Sequence, residues 1–217
     1  MKPVITLDGP AGVGKSTLAN ALASRYGFAV LASGSIYRLI GRHALQQGLL
    51  NSPDRLVEYA RSLQGSNWLE LAAELGDALT TSEISAAASQ IASHPGLRSA
   101  LLALQHECAS SPGVNGLVAE GRDMGTVVFP QAPCKFFITA SSKVRATRRC
   151  LQQGLEASAE RVARIAAEIA ERDQRDANRE VAPLKPAVDA LVINTSDHDI
   201  QTTLAQLFAR IKTCMGL

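Results

Sequence analysis

A glycine-rich loop between an apolar strand and a helix constrains the fold of this chain more than any other feature. The apolar run 4–8 leads into two glycines that are separated by four residues and followed by a lysine and a hydroxyl, namely Gly9, Gly14, Lys15 and Ser16. This spacing, G-x-x-x-x-G-K-[ST], is typical of loops whose backbone N–H groups cradle phosphates at the start of a helix. The alternative, a glycine-rich turn that matches by chance, does not explain why strand, loop and helix follow in this order.

The loop predicts a binding site for a nucleoside triphosphate. Its backbone N–H groups and the positive end of the following helix are suited to the phosphates of ATP. The ammonium of Lys15 adds charge for the outer phosphates, and the hydroxyl of Ser16 is a candidate ligand for phosphate-bound Mg²⁺. The predicted ATP-binding residues are Gly9, Pro10, Ala11, Gly12, Val13, Gly14, Lys15, Ser16 and Thr17.

The rest of the chain predicts an α/β fold, because short apolar runs alternate with helical patterns. Two of the runs are continuously apolar, as buried parallel strands require. We therefore expect the P-loop NTPase fold, with a five-stranded parallel sheet and helices on both faces. The predicted strands are 4–8, 28–32, 116–120, 134–139 and 190–194. Ser33 or Ser35 is expected to cap the helix after the second strand.

Two stretches of the chain are longer than such a sheet needs. The mostly helical stretch between the second and third strands exceeds a plain crossover and predicts an inserted acceptor-binding lobe at about 38–115. Within it, residues 68–75 fit either a helix or the remnant of a small sheet. An arginine-rich stretch at about 145–184 predicts a helical lid. The chain 1–217 is thus expected to be a single P-loop domain with its core in 1–37, 116–144 and 185–217.

The composition argues against several classes of protein. A net charge of +2 gives no reason to expect binding to polymeric nucleic acid or to a membrane surface. No apolar run approaches membrane-spanning length, and the chain enters its first strand without a leader peptide. The cysteines are far apart and lack C-x-x-C spacing, so reduced thiols and a cytoplasmic location are expected. A monomer is the default expectation for so compact a domain.

Arginines are concentrated where a second ligand would bind. Arg122 follows the third strand, at the edge where α/β sheets bind ligands. Arg172, Asp176 and Arg179 have the spacing of one helical face. So many guanidinium groups fit two phosphorylated ligands that meet end to end, because their mutual repulsion must be neutralised. The other clustered arginines are Arg38, Arg145, Arg148 and Arg149.

Structural roles are the alternative for these charged residues. Arg172 and Asp176 could form a surface ion pair, and the arginines between 145 and 149 could be a solvated helix face. Asp123 could be a structural partner of Arg122 rather than a group that contacts a ligand.

Several motifs behind the loop resemble those of bacterial cytidylate kinases, a family of P-loop nucleoside monophosphate kinases. They are S-G-S-I-Y-R, A-S-Q, G-R-D-M-G-T-V-V-F-P and E-R-D-Q-R-D-A-N-R, in that order, followed by V-A-P-L. The resemblance covers nearly the whole chain, and the block Gly121–Pro130 is specific to the family. It implies transfer of a phosphoryl group from ATP, with Mg²⁺, to CMP or dCMP.

The resemblance also implies roles for residues of the acceptor site. Ser33 and Arg38 match the acceptor-binding serine and arginine of the family. The residues that match those reading the cytosine edge are Ser89, Arg98 and Asp123. Uracil has a carbonyl where cytosine has an amine, so the carboxylate of Asp123 would face uracil badly.

The acceptor phosphate and the transferred group have implied partners too. Arg38, Arg122 and Arg179 match residues that hold the acceptor phosphate, and Arg172 and Asp176 match residues near its ribose and phosphate. Arg148 matches a lid arginine that faces the transferring phosphoryl group. The implied catalytic residues are therefore Lys15, Arg122, Arg148 and Arg172.

The chain departs from the family pattern at three places. Ala32 stands where the family has an aspartate, and Thr80 or Thr81 stands where an arginine is common. The stretch 64–81 is short and rich in Ala, Leu and Glu, so we expect the small antiparallel sheet of the family to be cut down. These changes leave open a P-loop kinase for another small metabolite, or a nucleotide-binding protein without turnover, although the retained Lys15 speaks against the latter.

Overall fold

The computed structural model describes residues 2–216 and contains a five-stranded sheet in the order β2-β3-β1-β4-β5. The strands are β1 (Val4–Asp8), β2 (Ala29–Ala32), β3 (Leu117–Gly121), β4 (Cys134–Thr139) and β5 (Leu191–Asn194). Strand β1 pairs in parallel with both β3 and β4, and β4 pairs in parallel with β5. This arrangement confirms the predicted parallel α/β sheet, and it places the glycine loop after the central strand.

Nine helices lie in the described residues and connect or follow these strands. They are α1 (Lys15–Tyr26), α2 (Ser33–Gln47), α3 (Pro53–Ser62), α4 (Trp68–Leu75), α5 (Ser82–Ile91), α6 (Pro95–Ser110), α7 (Ser142–Gln152), α8 (Ala159–Ala177) and α9 (Ile200–Met215). A 3₁₀ turn covers Gly76–Leu79, and a π-helical turn covers Met124–Val128. Within residues 2–216, no helix combines the length and the apolar character needed to span a membrane.

The chain divides into two compact units. The first comprises the residues up to Val30 and those from Gly113 onward, and the second is Leu31–Pro112. The assignment of an acceptor-binding role to the second unit stays a prediction.

The first unit contains two separate apolar clusters. The larger one surrounds the middle strands, where Ile5, Leu7 and Ile138 are fully buried against residues of α1 and α9. The smaller one joins α7 and α8, because Cys150 packs with residues of α8 such as Ile165. Burial of each cluster is the main stabilising contribution to its part of the unit.

In the second unit, α2 packs against α5, and α3 packs against α6. Residues 68–75, which fitted either a helix or a small sheet, form α4, and no strand lies between residues 64 and 81.

The ends of three helices can be described in detail. Ser141 caps α7, because its hydroxyl accepts a hydrogen bond from the N–H of Val144 at 3.3 Å. The predicted cap of α2 at Ser33 or Ser35 is wrong, because α2 begins at Ser33 directly after β2 and Ala32 takes the cap position. The predicted shared helical face is wrong for Arg179, because α8 ends at Ala177.

Candidate active site

The glycine loop follows β1 and leads directly into α1. Gly9 has a φ of 147°, and a Cβ atom there would overlap the carbonyl oxygen of Ile138 on β4. Only glycine allows this close approach of the loop to the neighbouring strand. Gly14 adopts the left-handed conformation, with a φ of 89°, immediately before α1 begins at Lys15. The backbone therefore curls as a phosphate-binding loop requires.

Lys15 is buried inside this loop. Its Nζ atom donates hydrogen bonds to the carbonyl oxygens of Gly9 and Pro10, at 2.9 and 2.7 Å. The pKa of Lys15 is lowered to about 7, mainly by burial; the positive charges of Arg122 and Arg172 act in the same direction, and the charges of Glu120 and Asp8 oppose them. A negatively charged ligand in the loop would therefore stabilise the protonated form of Lys15.

The hydroxyl of Ser16 donates a hydrogen bond to Oε1 of Glu120 at 2.8 Å. Glu120 lies near the end of β3 and is 8 % exposed. A hydroxyl and a carboxylate side by side are oxygen donors of the kind that Mg²⁺ prefers. Among residues 2–216, no group of three or more His, Cys, Asp or Glu side chains could hold a metal ion by itself. The Ser16 hydroxyl and the Glu120 carboxylate fit an ion whose other ligands are phosphate oxygens and waters, as is usual for Mg²⁺.

Arg122, at the end of β3, forms a partly buried ion pair with Asp176 of α8. Nε of Arg122 lies 3.0 Å from Oδ2 of Asp176, whose side chain is 4 % exposed. Burial alone would raise the pKa of Asp176, but the charges of Arg122, Arg179 and Arg172 outweigh it and hold that pKa below its usual value. The surface-pair alternative is therefore wrong for Asp176, which is buried among arginines.

Arg179 follows the end of α8 and turns back toward it. Its Nε atom donates a hydrogen bond to the backbone oxygen of Asp176 at 3.2 Å. The structure thus gathers Lys15, Arg122, Arg172, Asp176 and Arg179 in one unit.

Arg145 is buried and links segments of the first unit, so it is not part of a solvated helix face. It donates to the carbonyl oxygens of Ala140 and Ala11, both at 3.0 Å, and pairs with Asp173 of α8. Asp173 also accepts a hydrogen bond from the N–H of Ala11 in the glycine loop, at 3.4 Å. The same two side chains therefore join the glycine loop, α7 and α8.

Arg148 is held at the carboxyl end of β5. Its two terminal nitrogens donate to the hydroxyl and to the carbonyl oxygen of Thr195, at 3.0 and 2.7 Å. Its predicted role in facing the transferring phosphoryl group stays a prediction.

Asp123 and Asp8 are buried acidic residues near the glycine loop, each 3 % exposed. Burial raises the pKa of Asp8 to about 6, and the charge of Asp123 adds to this shift, while hydrogen bonds from the N–H groups of Gly125 and Met124 oppose it. The reading of cytosine by Asp123 stays a prediction.

The remaining predicted residues lie in the second unit. Ser33 and Arg38 belong to α2, Ser89 to α5 and Arg98 to α6. Arg98 is 9 % exposed, donates to the carbonyl oxygen of Ala92 at 3.1 Å, and its guanidinium carbon lies 5.8 Å from the ring centroid of Tyr37. These contacts account for the burial of the Arg98 guanidinium, and its role in reading cytosine stays a prediction.

Among the charged residues of this site, the sequence did not single out Asp8, Glu120 and Asp173 as functional, and it gave Arg145 only as one of the clustered arginines. For Asp8 and Glu120 a signal was available, because both lie at the carboxyl ends of strands flanking the loop, where α/β folds place ligand-binding groups. For Arg145 and Asp173 the sequence offers no such signal, since their contacts join distant segments.

Comparison with known proteins agrees with this geometry. The family model described as cytidylate kinase matches residues 5–213. A cytidylate kinase of Shewanella amazonensis is 43 % identical over 96 % of this chain and 94 % of its own length. One from Salmonella arizonae is 44 % identical over 99 % of this chain and 98 % of its own length.

A solved structure of an uncharacterized protein from Eubacterium ventriosum shares the fold, with a TM-score of 0.50, 12 % identity, and coverage of 98 % of this chain and 99 % of that chain. The family match spans nearly all of the sequence and includes every element of the site described above. The chain belongs to the cytidylate kinase family.

Proposed function

We propose that this protein transfers the γ-phosphoryl group of ATP to CMP or dCMP, giving ADP and CDP or dCDP. The observation that carries the proposal is the buried ammonium of Lys15 inside the glycine loop, where burial lowers its pKa to about 7 and the charges of Arg122 and Arg172 act in the same direction. A buried cation next to other cations is costly unless an anionic ligand neutralises it. Two nucleotide phosphates that meet end to end would do so.

The chemistry needs positioning and charge neutralisation more than a general base. The acceptor is a phosphate that is already anionic at neutral pH, so no proton has to be removed from it before attack. Lys15 would hold the outer phosphates of ATP, and Arg122, Arg172 and Arg179 would hold the acceptor phosphate in line. Arg148 would complete the set by facing the transferred group.

Mg²⁺ would be held by the Ser16 hydroxyl together with the phosphates of ATP. Glu120, which accepts the hydrogen bond from Ser16, would orient this hydroxyl or bind a water of the ion. The bound ion would neutralise charge that develops on the phosphates during transfer.

The acceptor base would be read by hydrogen bonds from Ser89, Arg98 and Asp123. Cytosine offers acceptors at O2 and N3 and a donor at N4, which an arginine, a serine and a carboxylate can complement. Because buried polar groups are left unpaired when the wrong base binds, such a site rejects analogues strongly. Ser33, Arg38 and Asp176 would hold the rest of the acceptor nucleotide.

The test is a coupled measurement of ADP release with ATP and a panel of CMP, dCMP, UMP, AMP and shikimate. We expect a strong preference for CMP and dCMP. Activity with shikimate but with no nucleotide would instead indicate a kinase for an alcohol. If no acceptor in the panel causes ADP release although ATP binds, the protein is a nucleotide-binding protein without turnover.

Lys15→Ala gives a second test of the phosphate assignment. We expect kcat to fall by about a thousandfold, because the outer phosphates lose their charged partner in a buried site. Lys143→Ala is the matched control, since Lys143 is an exposed lysine on α7. Near-normal turnover of Lys15→Ala would contradict the assignment.

A further inference from the structure

Asp8 makes two hydrogen bonds that join distant parts of the first unit. It is the last residue of β1 and is 3 % exposed. Its Oδ1 atom accepts a hydrogen bond from the N–H of Met124 at 2.8 Å, and Oδ2 accepts one from the N–H of Gly125 at 2.7 Å. These two N–H groups open the π-helical turn Met124–Val128 and have no partner inside it, as at the start of any helix. Asp8 therefore caps this turn from another strand.

The contact between the turn and β1 is close as well as polar. A Cβ atom added at Gly125 would lie 2.8 Å from Oγ1 of Thr6 and 3.3 Å from Oδ2 of Asp8. Because these atoms belong to side chains, a larger residue at position 125 fits only if the side chains or the turn move. Packing against Thr6 and the hydrogen bonds to Asp8 thus hold the turn at the same place on β1.

The contact between Asp8 and the turn matters because both lie next to residues of the proposed active site. Asp8 immediately precedes Gly9, the first residue of the glycine loop, and Met124 immediately follows Arg122 and Asp123. Arg122 is also held through its side chain by Asp176. The backbone of the two residues proposed to contact the acceptor is therefore anchored on its carboxyl side by Asp8.

We infer that Asp8 is a positioning residue for acceptor recognition, which fixes the turn Met124–Val128 on β1 and thereby sets the placement of Arg122 and Asp123. The inference rests on the proposed contacts of Arg122 and Asp123 with CMP. In this role Asp8 does not contact a substrate. Its effect is carried by the backbone of the turn, so it should alter acceptor binding more than the binding of ATP.

A carboxylate suits this role better than an amide. It offers an acceptor oxygen to each of the two N–H groups, whereas asparagine has one oxygen and would direct an N–H group at the other donor. A buried N–H group that loses its partner costs enough to shift a turn. The Asp8→Asn variant therefore removes one anchor while it keeps the size of the side chain.

The experiment compares Asp8→Asn and Gly125→Ala with Asp199→Asn as the matched control. Asp199 is also an aspartate whose carboxylate accepts a backbone N–H at the start of a helix, that of Thr202 at 2.7 Å, but it caps α9 rather than the turn. For each variant, the KM for CMP, kcat, the ratio of kcat/KM for CMP over UMP, the Kd for ATP and the Tm are measured.

In both test variants we expect the KM for CMP to rise by about tenfold or more, and the ratio for CMP over UMP to fall by a similar factor. The Kd for ATP should change by less than about twofold in Gly125→Ala, which keeps the charge of Asp8 near Lys15. Asp199→Asn should match the parent protein in the KM for CMP and in the ratio for CMP over UMP. If Asp8→Asn does not fold, Gly125→Ala decides the question.

If folded variants lose Tm or kcat but keep the KM for CMP and the ratio for CMP over UMP, the inference is wrong and Asp8 has only a structural role.

The Asp123→Asn variant separates this result from a failure of the proposed function. If Asp123→Asn changes the ratio for CMP over UMP but Asp8→Asn and Gly125→Ala do not, only the role of Asp8 is contradicted. If Asp123→Asn leaves the ratio unchanged, the base-reading role of Asp123 is contradicted, and with it the inference about Asp8.

Discussion

The protonation state of Lys15 depends on whether the glycine loop holds a negatively charged ligand. In the free protein its hydrogen bonds go to two carbonyl oxygens of the loop, and its neighbours include two guanidinium groups. Burial and these charges favour the neutral amine, whereas a triphosphate favours the ammonium. The two preferences predict a measurable exchange of protons when ATP binds.

We expect ATP binding at pH 8 to take up about one proton, because a group with a pKa of about 7 is mostly neutral at that pH and becomes charged against the phosphates. The uptake should vanish below about pH 6, where Lys15 is already protonated. Calorimetric titration in buffers of different ionisation enthalpy measures it. Lys15→Arg is the control, since arginine is charged throughout. Equal uptake by this variant would show that another group titrates.

The role of Glu120 can be tested separately from turnover. Its carboxylate accepts the hydrogen bond of the Ser16 hydroxyl, the proposed ligand of Mg²⁺. Partners of this kind alter metal affinity without binding the metal directly.

Glu120→Gln is therefore expected to raise the Mg²⁺ concentration needed for half-maximal ATP binding by about tenfold. A Mg²⁺ titration of ATP binding, followed by fluorescence of a labelled nucleotide, measures this shift apart from turnover. Glu107→Gln changes an exposed glutamate of α6 and should leave the titration unaltered. An unshifted midpoint in Glu120→Gln would exclude the role of Glu120.

The C-terminal part of α8 is held against the rest of the first unit by side chains at two positions. Asp173 pairs with Arg145, and Asp176 pairs with Arg122 one turn further along. The helix also has an exposed ion pair, Arg175 with Glu171 at 3.7 Å, which provides a comparison in the same element. Buried and exposed pairs differ in what their loss costs.

Asp176→Asn should lower the free energy of unfolding by about 3 kcal/mol, because the arginines around it lose their buried counter-charge. Glu171→Gln should change it by less than about 0.5 kcal/mol. Urea unfolding measures both. Equal effects of the two variants would contradict the buried character of the Asp176 pair.

The same pair predicts how stability depends on pH. The folded-state pKa of Asp176 lies below its usual value, so its contribution is fully present above about pH 4 and is lost as the pH falls through the lowered pKa. The stability difference between the parent protein and Asp176→Asn should therefore shrink on acidification.

Across the whole molecule, the four cysteines are free thiols in different surroundings. Cys108, Cys134 and Cys150 are buried, whereas Cys214 near the end of α9 is half-buried. Burial raises the pKa of Cys108 to about 11, and burial together with the Cys214 thiol raises that of Cys134 to about 12. Both shifts oppose formation of the reactive thiolate.

A thiol reagent should therefore label one cysteine, Cys214, quickly in the folded protein and all four in urea. The Tm should be the same with and without reductant. Absorbance of the released reagent gives the count, and Cys214→Ser should remove the fast phase. A fast phase that survives in Cys214→Ser would show that a buried thiol is accessible.

The sequence predicted those parts of the molecule whose signals are local. The strand, glycine loop and helix around Lys15 could be predicted because all their determinants lie within residues 4–22. The end of α8 could not, since no glycine or proline marks Ala177 and the next proline is Pro183. The contacts of Asp8 with Met124 and of Arg145 with Ala11 could not be predicted for a different reason. The members of each pair are more than a hundred residues apart in the chain, and only the folded protein brings them into contact.

The small apolar cluster between α7 and α8 has a consequence for charged residues outside it. Because these helices bury residues such as Cys150 and Ile165 against each other, a substitution in the cluster acts on α8 as well as on α7. Asp173 and Asp176 both lie on α8, so a cluster that carries no charge of its own helps to set where these two carboxylates stand.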